Sequence, residues 1–370
     1  MPSSANELGL VPVIFDANRE EQKVSAVAFL FRDQHIVTGS RDGCLQVREA
    51  KTGKSVGDPW QDKERSEICA IDVSPNGNHV ATGSKNGKIR VWIWNGRTAA
   101  IVGESKEHSS AALCVRWSRH NNGAHIASGF DDGSIAVWSF TASGLKRPMS
   151  TDVTCLQHVT AIDYSHDGTQ LIVSGYDCKI LILRIDERAQ EVRVNKVIKI
   201  CSNPYHVPCI AWASTADGHA IVTGSTDCKI RMVELPSGLP SECVFEGHSG
   251  EVCAIVLSPD KRVLASASHD HTLRLWDLDA KQPIDQPLPH PVKLSCAAFA
   301  ADGNSVATGT FDGKIYVWDL LSRDVKGREK DANARHPFNP DSQIPATRRP
   351  VPRTRQPIKF DSKKFFGHRK

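Results

Sequence analysis

Residues 252–257, 263–268 and 272–278 form three short runs in which apolar and polar positions alternate, and polar turn residues separate them. A period of two predicts antiparallel strands that each bury one face. So small a unit cannot cover its own apolar faces, which implies neighbours, and the same pattern recurs along nearly the whole chain. Aligned on the small residue before the second turn, the copies fall at Gly39, Gly83, Gly129, Ser174, Gly224, Ala267 and Gly309, spaced 44, 46, 45, 50, 43 and 42 residues apart. Three positions further on stand Asp42, Asn86, Asp132, Asp177, Asp227, Asp270 and Asp312. Seven copies at this period predict a radial array of four-stranded sheets.

Two copies end in Trp-Asp, at Trp276-Asp277 and Trp318-Asp319, and Gly247-His248 precedes the sixth. On these residues the chain resembles the WD40-repeat family over roughly residues 11 to 320. The resemblance implies an all-β, seven-bladed β-propeller of four-stranded antiparallel blades. Trp92 and Trp138 keep the aromatic position in repeats two and three, whereas Leu183 and Val233 replace it in repeats four and five. Residues 11–15 read as a lone strand ahead of the first repeat, and the seventh repeat runs into polar chain before a fourth strand. The N-terminal strand is therefore expected to complete the last blade and close the ring, since open edges invite mispairing. The expected organisation is a flexible N-terminus at 1–10, one propeller at 11–321 and a disordered tail at 322–370. The tail mixes charge with six prolines and has little apolar content to offset the entropy of ordering.

Composition changes this picture in three places. The net charge of +4 hides an asymmetry, with +9 carried by residues 323–370 and −5 by the rest. Eleven cysteines without a C-x-x-C pair point to a reducing compartment and away from a structural zinc site. Cys69, Cys114, Cys209, Cys253 and Cys296 fall in first strands, where small buried residues are wanted. No window approaches a membrane-spanning apolar run, and the N-terminus lacks the basic start and apolar stretch of a secretory signal. A cytoplasmic protein is expected, with the nucleus as the alternative.

The most pointed side-chain sets are His248, Ser266, Asp270 and Trp276 in repeat six, His290, Thr308, Asp312 and Trp318 in repeat seven, and His108, Ser128, Asp132 and Trp138 in repeat three. Ser, His and Asp together suggest nucleophilic catalysis. The family resemblance implies instead a hydrogen-bonded brace from turn to third strand, and three copies round one ring fit a brace better than an enzyme. Repeats one, two, four and five lack a member and are expected to be the softer side. No catalytic residue, cofactor or metal is expected: Thr52-Gly53-Lys54-Ser55 lacks the first glycine of a phosphate loop, and His269-Asp270-His271 reads as chance.

Residues just before the turn acids should face one rim, and Arg41, Lys85, Tyr176, His269 and Phe311 are the candidate partner-binding set there. The expected function is a non-catalytic scaffold that binds peptides or proteins on that rim, monomeric within a larger complex. The alternative is a substrate-recognition adaptor or reader in a ubiquitin-ligase or chromatin complex, although Asp279 and Leu321 stand where a cullin-linked signature would have Arg. A third reading is an RNA-associated factor that uses the basic tail, at Arg348-Arg349, Arg353 and Arg355.

Overall fold

A computed structural model describes residues 11–17, 23–30, 33–106, 108–120, 123–151, 153, 157–200, 205–215, 218–235 and 243–321. The chain divides into units Met1–Ala332 and Asn333–Lys370, and every described residue lies in the first. The predicted segments 1–10 and 322–370 fall outside the described residues.

Seven sheets, antiparallel but for one short edge strand in blade 4, form a propeller. Their innermost strands, blades 1 to 7 in order, are Ala26–Leu30, Ile68–Val73, Ala112–Trp117, Val159–Tyr164, Cys209–Thr215, Val252–Leu257 and Leu294–Phe299. No blade owns a core. One apolar cluster joins Cys114, Ala127 and Val137 of blade 3 to Val159, Ile162 and Leu171 of blade 4, and another joins Ala211 and Val222 of blade 5 to Ile255 and Trp276 of blade 6. Each wedge is therefore stable only between two neighbours. The crowded centre explains the small aligned residues: a Cβ on Gly129 would lie 2.1 Å from Val159 Cγ1 and 2.8 Å from Cys114 Sγ.

Ring closure follows the expected route. Val13–Asp16 pairs antiparallel with Lys314–Asp319 in the register Val13 to Val317 and Phe15 to Ile315, and the Ala17 N–H donates to the Gly313 carbonyl at 2.8 Å. The strand starts two residues later than the pattern suggested. Two blades depart from four strands. Blade 1 has three, because residues 54–60 reach its third strand only through isolated bridges, Leu45 to Trp60 and Arg48 to Ser55. Blade 4 has five, because Ser150–Thr151 pairs in parallel with the outer strand Glu191–Lys199.

The recurring turn acid has a local cause. Asp42, Asp132, Asp227 and Asp270 each accept, through Oδ1, the backbone N–H two residues on, at 3.0, 3.0, 3.1 and 3.0 Å. This side-chain mimic of a turn favours Asp or Asn. The residue between takes positive φ and is glycine in blades 1, 2, 3 and 7, but Cys178, Cys228 and His271 fill it in blades 4 to 6.

Near the axis, ion pairs and hydrogen bonds tie blades 2 to 6 together. Asp72 Oδ2 accepts the Trp117 N–H at 2.7 Å, and its Oδ1 accepts from Arg119 at 2.8 Å. Asp163 does the same for the Trp212 N–H at 2.8 Å, and Lys261 donates to the Trp212 carbonyl at 3.3 Å. Arg116 lies between the two aspartates, about 4.0 Å from each. Burial would lower its pKa, but Asp72 and then Asp163 outweigh that and raise it. Among the described residues no helix is long and apolar enough to cross a membrane.

Candidate functional site

The three predicted braces turn out to be three different structures. Only blade 6 assembles the full set. The Trp276 indole N–H donates to Ser266 Oγ at 2.8 Å, Ser266 Oγ lies 2.7 Å from His248 Nε2, and His248 Nδ1 lies 2.7 Å from Asp270 Oδ2. The chain of donors is consistent if Nδ1 carries the proton and Nε2 accepts from the serine hydroxyl. Burial alone would raise the Asp270 pKa, but hydrogen bonds from His248 and Thr272 outweigh it and hold the carboxyl far below its usual range. Ser, His and Asp thus stand in the order of a nucleophilic triad. Ser266 is fully buried beneath Trp276, however, so no substrate carbonyl can approach its oxygen.

Blade 7 corrects the expected set by removing Asp312. His290 Nε2 sits 2.8 Å from Thr308 Oγ1 and 3.3 Å from the Trp318 indole nitrogen, while its Nδ1–H donates to the Leu288 carbonyl at 3.1 Å. Asp312 instead accepts from Thr310 Oγ1 at 2.5 Å. In blade 6 the residue after the histidine, Ser249, donates its N–H to the acid at 3.0 Å. Its counterpart in blade 7 is Pro291, which has no N–H to offer. Blade 3 keeps the Trp138 to Ser128 bond at 3.0 Å but loses the histidine. His108 stacks on buried Phe130 with centroids 3.9 Å apart, bonds Ser134 Oγ at 3.2 Å and stays 3.9 Å from Asp132. Phe130 stands where blade 6 has Ser268, and its ring takes the space the imidazole would need to reach Ser128.

His290 makes a pH prediction. Burial is the main cause that lowers its pKa, to about 4, only partly opposed by its hydrogen bonds to Leu288 and His271. The folded value lies below the ordinary imidazole value of 6.5, so between these limits the unfolded chain binds more protons. Stability from this residue is therefore complete above pH 6.5 and is lost as pH falls toward 4. The loss is on the order of 3 kcal/mol. Denaturant unfolding at a series of pH values should show this slope, and His290→Gln should flatten it; an unchanged slope in the variant would refute the assignment.

Two blades without a brace hold buried arginine instead, which sequence reasoning missed. In blade 2 Arg90, about 2% exposed, contacts Asp62 at 2.5 Å, Glu64 at 2.8 Å and Glu104 at 3.1 Å. The Trp92 indole still donates to Thr82 Oγ1 at 3.1 Å. In blade 5 Arg231 grips Asp227 with two bonds of 2.6 and 3.1 Å. Both arginines lie four residues after the turn residue, and Glu64 lies 22 residues before Asn86, the interval that separates His248 from Asp270. That interval was legible. Removing one partner of such a buried pair typically costs about 3–5 kcal/mol.

The residues of His269-Asp270-His271 do not converge on a metal, nor do His206 and Cys209. His269 Nδ1 faces Glu251 at 3.2 Å, Asp270 belongs to the brace, and the His271 carbonyl accepts the His290 N–H. His206 Nδ1–H donates to the Tyr176 carbonyl at 2.9 Å, whereas Cys209 Sγ points to the Val252 carbonyl at 3.5 Å. Among the described residues no group of three or more His, Cys, Asp or Glu is placed to hold a metal. Burial pushes the thiols of Cys69 and Cys296 up to about 11 and those of Cys114 and Cys209 up to about 12. These are inert thiols rather than thiolates.

The predicted rim residues do gather at one end of the axis, and each meets a residue at the start of an innermost strand. Arg41 and Lys85 both reach Glu67, at 3.4 and 3.3 Å. Asp131 bonds His158 Nδ1 at 2.6 Å. Tyr176 is flanked by His158 and His206, with centroids 4.8 and 4.5 Å away. His269 meets the Phe311 ring edge-on at 5.4 Å, and Lys23 Nζ lies 4.8 Å from that ring's centroid. Backbone bonds pin the arrangement: Lys85 N–H to Glu67, Tyr176 to Gln157, His269 to Glu251 and Phe311 to Lys293. The mouth therefore consists of two concentric circles, of which the sequence pattern revealed only the turn circle. Tyr176 and Phe311 are 44 and 39% exposed, and with Tyr205 they are the exposed Tyr, Phe and Trp rings among the described residues.

Comparison with known proteins agrees with this architecture. The chain aligns over 279 residues at 25% identity with Periodic tryptophan protein 2 of Arabidopsis thaliana, covering 73% of this chain and 29% of that protein. It aligns over 301 residues at 23% identity with Actin-interacting protein 1-2 of Arabidopsis thaliana, covering 80% and 46%. A 160-residue match at 28% identity to E3 ubiquitin-protein ligase COP1 of Pisum sativum covers 43% and 22%. The chain thus spans half or less of the length of these curated relatives. Residues 13–48, 61–92, 101–139, 150–182, 240–277 and 284–319 match the WD domain, G-beta repeat. The three inner strands of blade 5 lie outside these segments; there Val233 stands in place of tryptophan and Arg231 with Asp227 in place of the brace. With six segments matched and seven blades formed, the chain belongs to the WD domain, G-beta repeat family.

Proposed function

We propose that this chain is a non-catalytic scaffold that binds peptides or protein segments at the axial mouth. The observation that carries the reading is the placement of two exposed aromatic rings, Tyr176 and Phe311, among the residues of this one end. Aromatic and arginine side chains dominate binding hot spots because they bury much surface for few rotatable bonds. The sealed Ser266, His248 and Asp270 set supports a structural role for the most enzyme-like constellation, and the fold generally serves as an interaction platform. Relatives named SIR4-interacting protein SIF2 of Saccharomyces cerevisiae and the COP1 ligase favour, as a second reading, a recognition subunit in a larger complex, with ubiquitin transfer as the activity the COP1 name carries.

The test is affinity purification of the full chain and of a Tyr176→Ala/Phe311→Ala double variant, followed by mass spectrometry. Both side chains are substantially exposed, so thermal unfolding should be nearly unchanged while stable partners of the full chain are lost. Recovery of the same partners by both proteins would overturn the assignment to the mouth. Ubiquitin-ligase subunits among the lost partners would select the second reading.

A further inference from the structure

We propose that the axial mouth selects an acidic peptide, anchored across blades 7, 1 and 2; this rests on the docking role argued above. The carboxylates of the mouth are already occupied. Glu67 is shared by Arg41 and Lys85, whereas Asp131 and Glu251 are hydrogen-bonded by the imidazoles of His158 and His269; burial lowers the His269 pKa, so that ring is neutral at pH 7 and Glu251 keeps its charge. The cations are not matched in the same way. Arg41 and Lys85 divide one carboxylate between them, and their side chains remain 61 and 67% exposed. Lys23 and Lys293 form no ion pair among the described residues, and Lys23 lies over the Phe311 ring instead. Surplus positive charge therefore lies at Lys23, Arg41 and Lys85, three cations around the single carboxylate of Glu67, while Glu251 offsets Lys293.

This arc reverses the charge of its surroundings, since the chain outside residues 323–370 carries −5. A local patch of opposite sign focuses the field and steers an oppositely charged segment to one orientation. Phe311 adds an apolar surface within the arc, so a carboxylate on Lys23 and an apolar side chain on Phe311 could be met by neighbouring residues of one ligand. On the far side of the mouth, Tyr176 between two histidines offers its edge and hydroxyl, a neutral hydrogen-bonding contact.

Phosphates would be attracted by the same cations, but single-stranded nucleic acid also needs open aromatic faces on which bases stack. His158 and His206 flank Tyr176, and Lys23 covers one face of Phe311. The arrangement favours carboxylates on a peptide.

The experiment is selection of random dodecapeptides by phage display on the immobilised full chain. Enriched peptides are then synthesised and their binding measured by fluorescence anisotropy. The expected winners carry a net negative charge, weaken at least tenfold when salt is raised from low to physiological strength, and weaken at least tenfold against Lys23→Glu/Arg41→Glu. A single-stranded oligouridine of the same length should compete poorly. Neutral or basic winners that bind Lys23→Glu/Arg41→Glu normally but lose Tyr176→Ala/Phe311→Ala would overturn the acidic ligand and leave mouth docking standing. Winners indifferent to both variants, or no enrichment at all, would overturn both, and displacement of the peptide by oligouridine at lower concentration would replace it with a nucleic-acid ligand. Unfolding temperatures within about 2 °C of the full chain show that each variant is folded.

Discussion

A chain lacking residues 1–16 will unfold about 10 °C below the full chain. The deletion removes the Val13–Asp16 ladder on Lys314–Asp319 and takes Val13 and Phe15 from the core shared by blades 7 and 1. It also bares the outer edge of Ile315, Tyr316 and Val317, all buried in the closed ring. Loss of that apolar cover and of the ladder bonds amounts to about 4–6 kcal/mol. For a domain of this size each kcal/mol moves the transition by about 2 °C. The ring does not open completely, because other links between its first and last blades survive. The Val24 N–H donates to the Thr310 carbonyl at 3.1 Å, Ser295 Oγ donates to the Val24 carbonyl at 2.7 Å, and Asp33 accepts the Ala301 and Asp302 N–H groups. Removal of residues 325–370 takes away none of the described strands and serves as the control. Equal effects from the two truncations, read by calorimetry, would sink the assignment of residues 13–16 as the closing strand.

Trp276→Ala should cost about 3–5 kcal/mol, the range for a large buried aromatic whose site cannot collapse. The indole is about 1% exposed, meets Phe245 edge-on at 5.5 Å and belongs to the cluster that joins blades 5 and 6. Its N–H is also the first donor of the one complete brace among the described residues, so its loss leaves Ser266 one bond short. Trp276→Phe separates the two contributions: it keeps most of the apolar contact and removes the donor, at about 0.5–1.5 kcal/mol for one lost hydrogen bond, since Ser266 stays bonded to His248. Equilibrium denaturation of both variants measures the split. A loss below about 1 kcal/mol for Trp276→Ala would show that neighbouring blades relax into the space, contrary to the close packing described.

Blades without a histidine brace need not be soft. Blade 2 was expected to be weak because Asn86 replaces the turn acid, yet Glu64, Asp62 and Glu104 surround Arg90 and the Trp92 to Thr82 bond persists. Blade 5 substitutes the Arg231 fork on Asp227. Polar satisfaction has been achieved by a second chemistry, and a buried arginine with several carboxylates is costly to break even where it adds little net stability.

The sequence by itself determined the seven-fold tiling, the β alternation, the turn acids and the membership of Arg41, Lys85, Tyr176, His269 and Phe311 in one circle. Each of these depends on residues a few positions apart: a strand's two faces follow from its period, and a turn acid bonds an N–H two residues away. Tertiary structure alone decided which histidines became braces, because His108 is diverted by the Phe130 ring and Asp312 loses its place where Pro291 lacks an N–H. It also decided that Lys23, Glu67, His158, His206, Glu251 and Lys293 form the mouth's second circle, and that blade 4 gains a parallel strand. Those outcomes depend on side chains brought together from strands and turns at different positions in the repeat and from adjoining blades, and no periodicity along the chain records such meetings.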